Sequence, residues 1–121
     1  MTQISKLMGS GISALAATSM AGSTSSALTA TGSSQATALL LTSDNNEVTT
    51  TASSTGVQLP SSSPGDEVFV ANYGAQTLSV YGQTGESISN GSANAAFSIA
   101  TNKTAFFVKV SATRWASVLS A

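Results

Sequence analysis

The chain has 121 residues, of which 7% are charged, with no cysteine, no histidine and a formal net charge of -1. These values exclude a disulfide framework, a thiolate nucleophile, a zinc-thiolate centre and any Ser-His-Asp triad. The four basic residues, Lys6, Lys103, Lys109 and Arg114, are too few to track a phosphate backbone, so no nucleic-acid partner is expected.

The first 35 residues mix glycine, serine, threonine and alanine. Within them Ile4, Leu7, Met8, Ile12 and Leu15 recur at three- and four-residue spacing, which predicts one apolar face of a short helix. Gly9 and Gly11 weaken that helix by up to about 1 kcal/mol each. Lys6 and the weakly apolar run after it loosely imitate a secretory leader, but Gly9, Ser10, Gly11 and Ser13 interrupt the run. No segment reaches the roughly 20 apolar residues of a membrane span, and no membrane partner is expected. Composition fits a flexible tail; the apolar positions point instead to a docking element. Residues 1–35 are thus expected to form an extended, partly helical arm, with Ile4, Leu7, Met8, Ile12 and Leu15 as its candidate partner interface.

Residues 36–121 carry the punctuation of a β domain. "ATALLLTS" and "EVTTTA" read as strands around a "DNN" turn, and "GVQLP" as a short extended piece. After "SSSPG", "DEVFVAN" puts Val68 and Val70 on one face and Phe69 on the other. "YGA" turns the chain into "QTLSVYG", with Leu78 and Val80 inward. "QTGESISNGSAN" is a longer connection with a short bridge at Ile88. "AAFSIA" sets Phe97 and Ile99 together, "TAFFVKVS" alternates Phe106, Val108 and Val110 with Phe107 and Lys109, and "WASVLS" is the last strand. Short strands at intervals of roughly 8 to 12 residues predict a small antiparallel β-sandwich or barrel, jelly-roll-like in form.

The patterns that resemble chemistry are weak. Asp66 and Glu67 are adjacent, so on a strand they point to opposite faces and suit a solvated turn better than an acid-base pair. "GQTGES" lacks the lysine and the helix of a phosphate loop. Asp44, Glu47, Asp66, Glu67 and Glu86 show no calcium-loop spacing. No catalytic residue, metal or cofactor is expected. Asn90 and Asn102 begin glycosylation-type triplets that read as turns. Tyr73, Tyr81 and Trp115 could form a sugar platform, but aromatic residues with a polar tip serve more often as core edges or subunit contacts.

The segments "GVQLP", "PGDEVFVANYGAQTLSVYG", "SISNGSANAAFSIA" and "TAFFVKVSATRWASVL" together resemble a small β module of tailed-bacteriophage virion proteins, among them head-decoration (cement) and tail-associated proteins. The matching positions are Gly56, Val57, Leu59 and Pro60; Gly65, Val68, Val70 and Asn72; Leu78, Val80 and Tyr81; Ile88, Asn90 and Gly91; Phe106, Phe107 and Trp115. Ser89 interrupts the Ile-Asn-Gly turn of the pattern, and Gly82 stands where proline often follows the tyrosine. The resemblance covers about two thirds of the chain. It implies a non-enzymatic virion protein, expected to be a homotrimer whose partner is the major capsid protein on the outer surface of the head. A tail or fibre component and a carbohydrate-binding module are the alternative expectations.

Overall fold

A computed structural model describes residues 22–121, which form ten strands and no helix. The strands are β1 (Thr24–Thr29), β2 (Leu39–Leu40), β3 (Asn45–Thr50), β4 (Gly56–Gln58), β5 (Glu67–Asn72), β6 (Leu78–Tyr81), β7 (Ser87–Ile88), β8 (Phe97–Ile99), β9 (Lys103–Ser111) and β10 (Arg114–Leu119). They make a six-stranded sheet in the order β1-β3-β5-β9-β10-β7 and a four-stranded sheet in the order β2-β4-β6-β8.

From β1 to β9 successive strands alternate between the two sheets, so the chain winds; β9 and β10 alone form a hairpin within one sheet. β1 lies parallel to β3 and β3 to β5; β2 lies parallel to β4 and β4 to β6. Three turns of a short solenoid result, each taking 18 to 24 residues: Leu39 pairs with Val57, Thr24 with Asn45, Val57 with Val80 and Asn45 with Phe69. After β6 the direction reverses. β8 runs antiparallel to β6 and β9 antiparallel to β5, forming a fourth layer traversed in the opposite sense, and β10 and β7 extend the larger sheet beyond it.

The core lies between the two sheets, because each strand presents every second side chain to the other sheet. Val48, Val57, Leu59, Val70, Leu78, Val80, Ile99, Phe107 and Trp115 are completely enclosed. Burying each of these aliphatic side chains contributes about 1.5–3 kcal/mol. Phe97 meets Phe107 edge to face with ring centroids 5.5 Å apart. The corners depend on turn chemistry: Pro64 and Gly65 occupy the centre of a turn in which the Asp66 N–H donates to Ser63 O at 3.1 Å, and Gly65 has φ +99°. Asn72, fully buried, ties the winding together. Its amide nitrogen donates to Gln76 O and Ile99 O, both at 2.9 Å, while its Oδ1 accepts from Thr51 Oγ1 at 2.9 Å and Gly74 N at 3.0 Å.

The all-β class agrees with the sequence reading, and the architecture does not. The expected antiparallel sandwich or jelly-roll-like barrel is replaced by solenoid-like stacking, because alternation reports which side chains face the core and not which strand lies alongside. The expected "DNN" turn is displaced, since Asn45 and Asn46 open β3 and the corner lies at residues 41–44, while "YGA" is a corner that carries the chain from one sheet to the other. The arm expected over 1–35 also changes within its described part: Thr24–Thr29 is an edge strand of the six-stranded sheet, Leu28 packs against the core and Ala30 is buried. Its Ser/Thr-rich composition resembles a linker, but threonine is at home in a strand once a neighbouring strand is present to pair with. The helical face from Ile4 to Leu15 lies outside the described residues.

Candidate functional site

The outer face of the six-stranded sheet follows from register. Val68, Val70 and Phe107 point inward, so their neighbours Phe69, Phe106 and Val108 point out. Phe69 pairs with Phe106 and Phe106 with Val118, while Val108 pairs with Glu67 and Ala116. The outward residues of β5, β9 and β10 thus form a largely apolar band, flanked by two charges in these ladders, Glu67 on β5 and the exposed Arg114 at the start of β10. Phe106 is 37% exposed, Val110 55% and Val118 70%.

On the β1 side the band runs into a shallow groove of about 340 Å³, floored by Phe69 and Ala71 and rimmed by Thr24, Ser26, Glu47 and Tyr73. Two of its polar groups are engaged by the backbone, and Asn46 Oδ1, buried in the lining, has no hydrogen-bond partner among the described residues. Glu47 Oε1 accepts from Ala27 N at 3.2 Å, and Asn45 Nδ2 donates to Ser23 O at 3.2 Å. The groove offers contact area edged by hydroxyls, amides and the Glu47 carboxylate.

The one buried ion pair found among the described residues lies on the inner side of the same sheet. Lys109 follows Phe107 in the inward phase of β9, and its Nζ sits 2.6 Å from Glu86 Oε2 and 2.8 Å from Ser62 O. Glu86 Oε1 accepts from the Trp115 indole N–H at 2.8 Å and from Gln83 N at 3.0 Å, and the ammonium stands 5.8 Å from the Trp115 ring centroid. Burial pushes the Glu86 carboxyl up. Hydrogen bonds from Lys109, Trp115 and Gln83, with the lysine charge, outweigh that and hold it below the ordinary carboxylate range. With Glu86 and Lys109 both enclosed, the arrangement locks the chain before β7 to β9, β10 and the segment after β4.

The three aromatic residues singled out from the sequence are not brought together. Trp115 is fully enclosed in the core, Tyr81 is half-buried beside Gly56, and Tyr73 is 52% exposed at the groove. A shared sugar platform is therefore not formed, since Trp115 has no surface to offer a ligand. Asp66 accepts from Ser63 N at 2.9 Å, as a turn residue does, and Glu67 stands on the outer surface. No group of three or more carboxylates able to hold a metal ion occurs among the described residues. Ile4, Leu7, Met8, Ile12 and Leu15 lie outside the described residues. Glu86 entered the sequence reading only as one of several scattered acids. The signal that could have found its role is Lys109, because a lysine in phase with an inward phenylalanine requires a buried acceptor.

Fold and surface together define the class: a small solenoid-like all-β protein with an exposed apolar flank. No protein-family model, no curated protein and no solved structure matches the chain.

Proposed function

We propose that the chain is a structural protein of a tailed-bacteriophage virion, a decoration or cement protein that binds the outer surface of the head as a homotrimer and stabilises the shell without catalysis. The observation that carries this reading is the apolar flank of the six-stranded sheet, where Phe106, Val110 and Val118 stand in the open on a chain whose net charge is -1. A contiguous apolar surface with so little charge around it favours burial against other protein. The resemblance of the Gly56–Tyr81, Ile88–Gly91 and Phe106–Trp115 segments to virion modules supports a virion protein, and the small size of the chain, with one β module and no repeated stalk, favours decoration over tail or fibre. Major capsid protein and other copies of the chain are the partners in this reading.

The mechanism is physical. Each oligomer bridges neighbouring capsid subunits and adds contacts that oppose outward pressure from packaged DNA; repetition over the lattice makes modest contacts strong in sum. Serine, threonine, alanine and valine suit such a contact surface, because they lose little side-chain entropy when ordered.

The test is co-sedimentation of the purified protein with expanded heads and with isolated tails, together with light scattering for its oligomeric state. Binding to heads by a trimer is expected. Binding confined to tails would transfer the protein to the tail or fibre, and binding to neither would overturn the virion reading.

A further inference from the structure

The shallow groove on the outer face of the six-stranded sheet carries a negative charge and no positive one. Phe69, Ala71 and Tyr73 share the outward phase along it, because the ladder between β5 and β3 continues past Asn72 through the Tyr73 N–H, which donates to Val48 O at 2.8 Å. Two aromatic residues therefore flank an alanine, each about 7 Å from it along the strand. Glu47 is the cross-strand neighbour of Ala71, so its side chain stands beside the gap between the two rings.

Glu47 is half-buried, and the one hydrogen bond it accepts among the described residues comes from the Ala27 N–H to Oε1 at 3.2 Å. It has no basic partner. The ion pair among the described residues joins Lys109 to Glu86, and no lysine or arginine lines the groove. Asn46, 3% exposed and part of the same lining, adds an amide oxygen without a donor. The faces of Phe69 and Tyr73 present the negative side of the ring quadrupole. A half-buried carboxylate, an unpaired amide oxygen and two aromatic faces all favour positive charge, and none of the described residues around them supplies it.

We propose that this groove is a binding site for an organic cation, an ammonium or guanidinium group seated over Ala71 between Phe69 and Tyr73 and paired with the Glu47 carboxylate. A metal ion fits less well, because hard cations take roughly six or more oxygen ligands and the groove offers a single carboxylate. Cation–π attraction acts within about 6 Å of a ring centroid, which matches the spacing of the aromatic residues around Ala71. Tyr73 is 52% exposed, so a ligand reaches it without disturbing the core. A volume of about 340 Å³ is small for a ligand site and suits one charged group. Such a group is supplied either by a free small molecule or by a lysine or arginine side chain of a partner protein. The inference stands independently of the virion reading.

The test is titration of the full chain with Nα-acetylarginine amide, followed through backbone amide shifts, with the uncharged citrulline analogue as control. Half-saturation on the order of 1 mM is expected, with the shifts centred on Glu47, Phe69, Ala71 and Tyr73. The citrulline analogue is expected to bind at least about tenfold more weakly, and Glu47→Gln and Tyr73→Ala to weaken arginine amide binding by a similar factor. Glutamine keeps an acceptor for the Ala27 N–H and Tyr73 is exposed, so both variants are expected to retain the native amide spectrum. A second arm uses a short peptide with one arginine among alanines. Tighter binding of the peptide than of the amide assigns the cation to a partner protein, and binding no tighter assigns it to a free small molecule. No shift in the groove at about 50 mM, equal binding of the citrulline analogue, or unchanged affinity in either folded variant would overturn the proposal. Stronger binding of N-acetylglucosamine than of arginine amide would also overturn it and make the groove a saccharide site.

Discussion

At the scale of single residues, the Glu86–Lys109 contact shows how few charges the fold can hold and how firmly it holds them. Removing one partner leaves the other buried and uncompensated. Glu86→Gln is therefore expected to destabilise the protein by about 3–5 kcal/mol in urea unfolding, and Lys109→Met by a similar amount. The double variant is expected to recover part of the loss, because it strands no charge. Acid should reproduce the single change by titration. The Glu86 carboxyl is held below its ordinary value of 4.5, so the unfolded chain takes up its proton first as pH falls. The stabilisation from Glu86 is complete at neutral pH and is lost as pH drops through the folded-state value. Unfolding free energy measured from pH 7 to pH 3 should fall at the acid end in the natural protein and fall less steeply in Glu86→Gln.

At the scale of elements, the corner between β5 and β6 holds successive turns in place. A methyl group on Gly74 would lie 2.2 Å from Thr51 Oγ1 and 2.6 Å from Thr51 N, so side chain and backbone both oppose it. Gly74→Ala is expected to reduce stability by about 1–3 kcal/mol in thermal or urea unfolding. Asn72→Ala should be at least as damaging, since four partners, three of them buried, lose their hydrogen bonds. The same corner shows what the sequence could reveal. The inward phase of Val68 and Val70, the turn at Pro64–Gly65 and the inward Leu78 and Val80 were all legible, because alternation and turn chemistry are local. The parallel neighbour of β5 was not. A strand one turn away in a solenoid leaves the same two-residue period as a hairpin partner, and the turns here share no repeated motif. Asn72 resembled the polar end of a strand, and its role appears only when Thr51, Gln76 and Ile99 arrive from three different parts of the chain.

At the scale of the whole molecule, the inner and outer faces of the six-stranded sheet have opposite requirements. The inner face buries its apolar residues within the chain; the outer face carries apolar residues whose removal from water needs another molecule. This contrast separates folding from assembly in a way that substitution can test. Val110 and Val118 are 55% and 70% exposed, so Val110→Asp with Val118→Asp should alter monomer stability by only about 1 kcal/mol. In an oligomer built through this face, each copy would bring two new negative charges into a desolvated contact, which favours dissociation. If the proposed homotrimer forms through this face, light scattering should show a folded monomer for the aspartate variant, and the conservative pair Val110→Thr with Val118→Thr should weaken association less. An oligomer of unchanged size in the aspartate variant would place the subunit contact elsewhere, while an aspartate variant that unfolds would show the outer residues to be more deeply committed to the fold than their exposure implies.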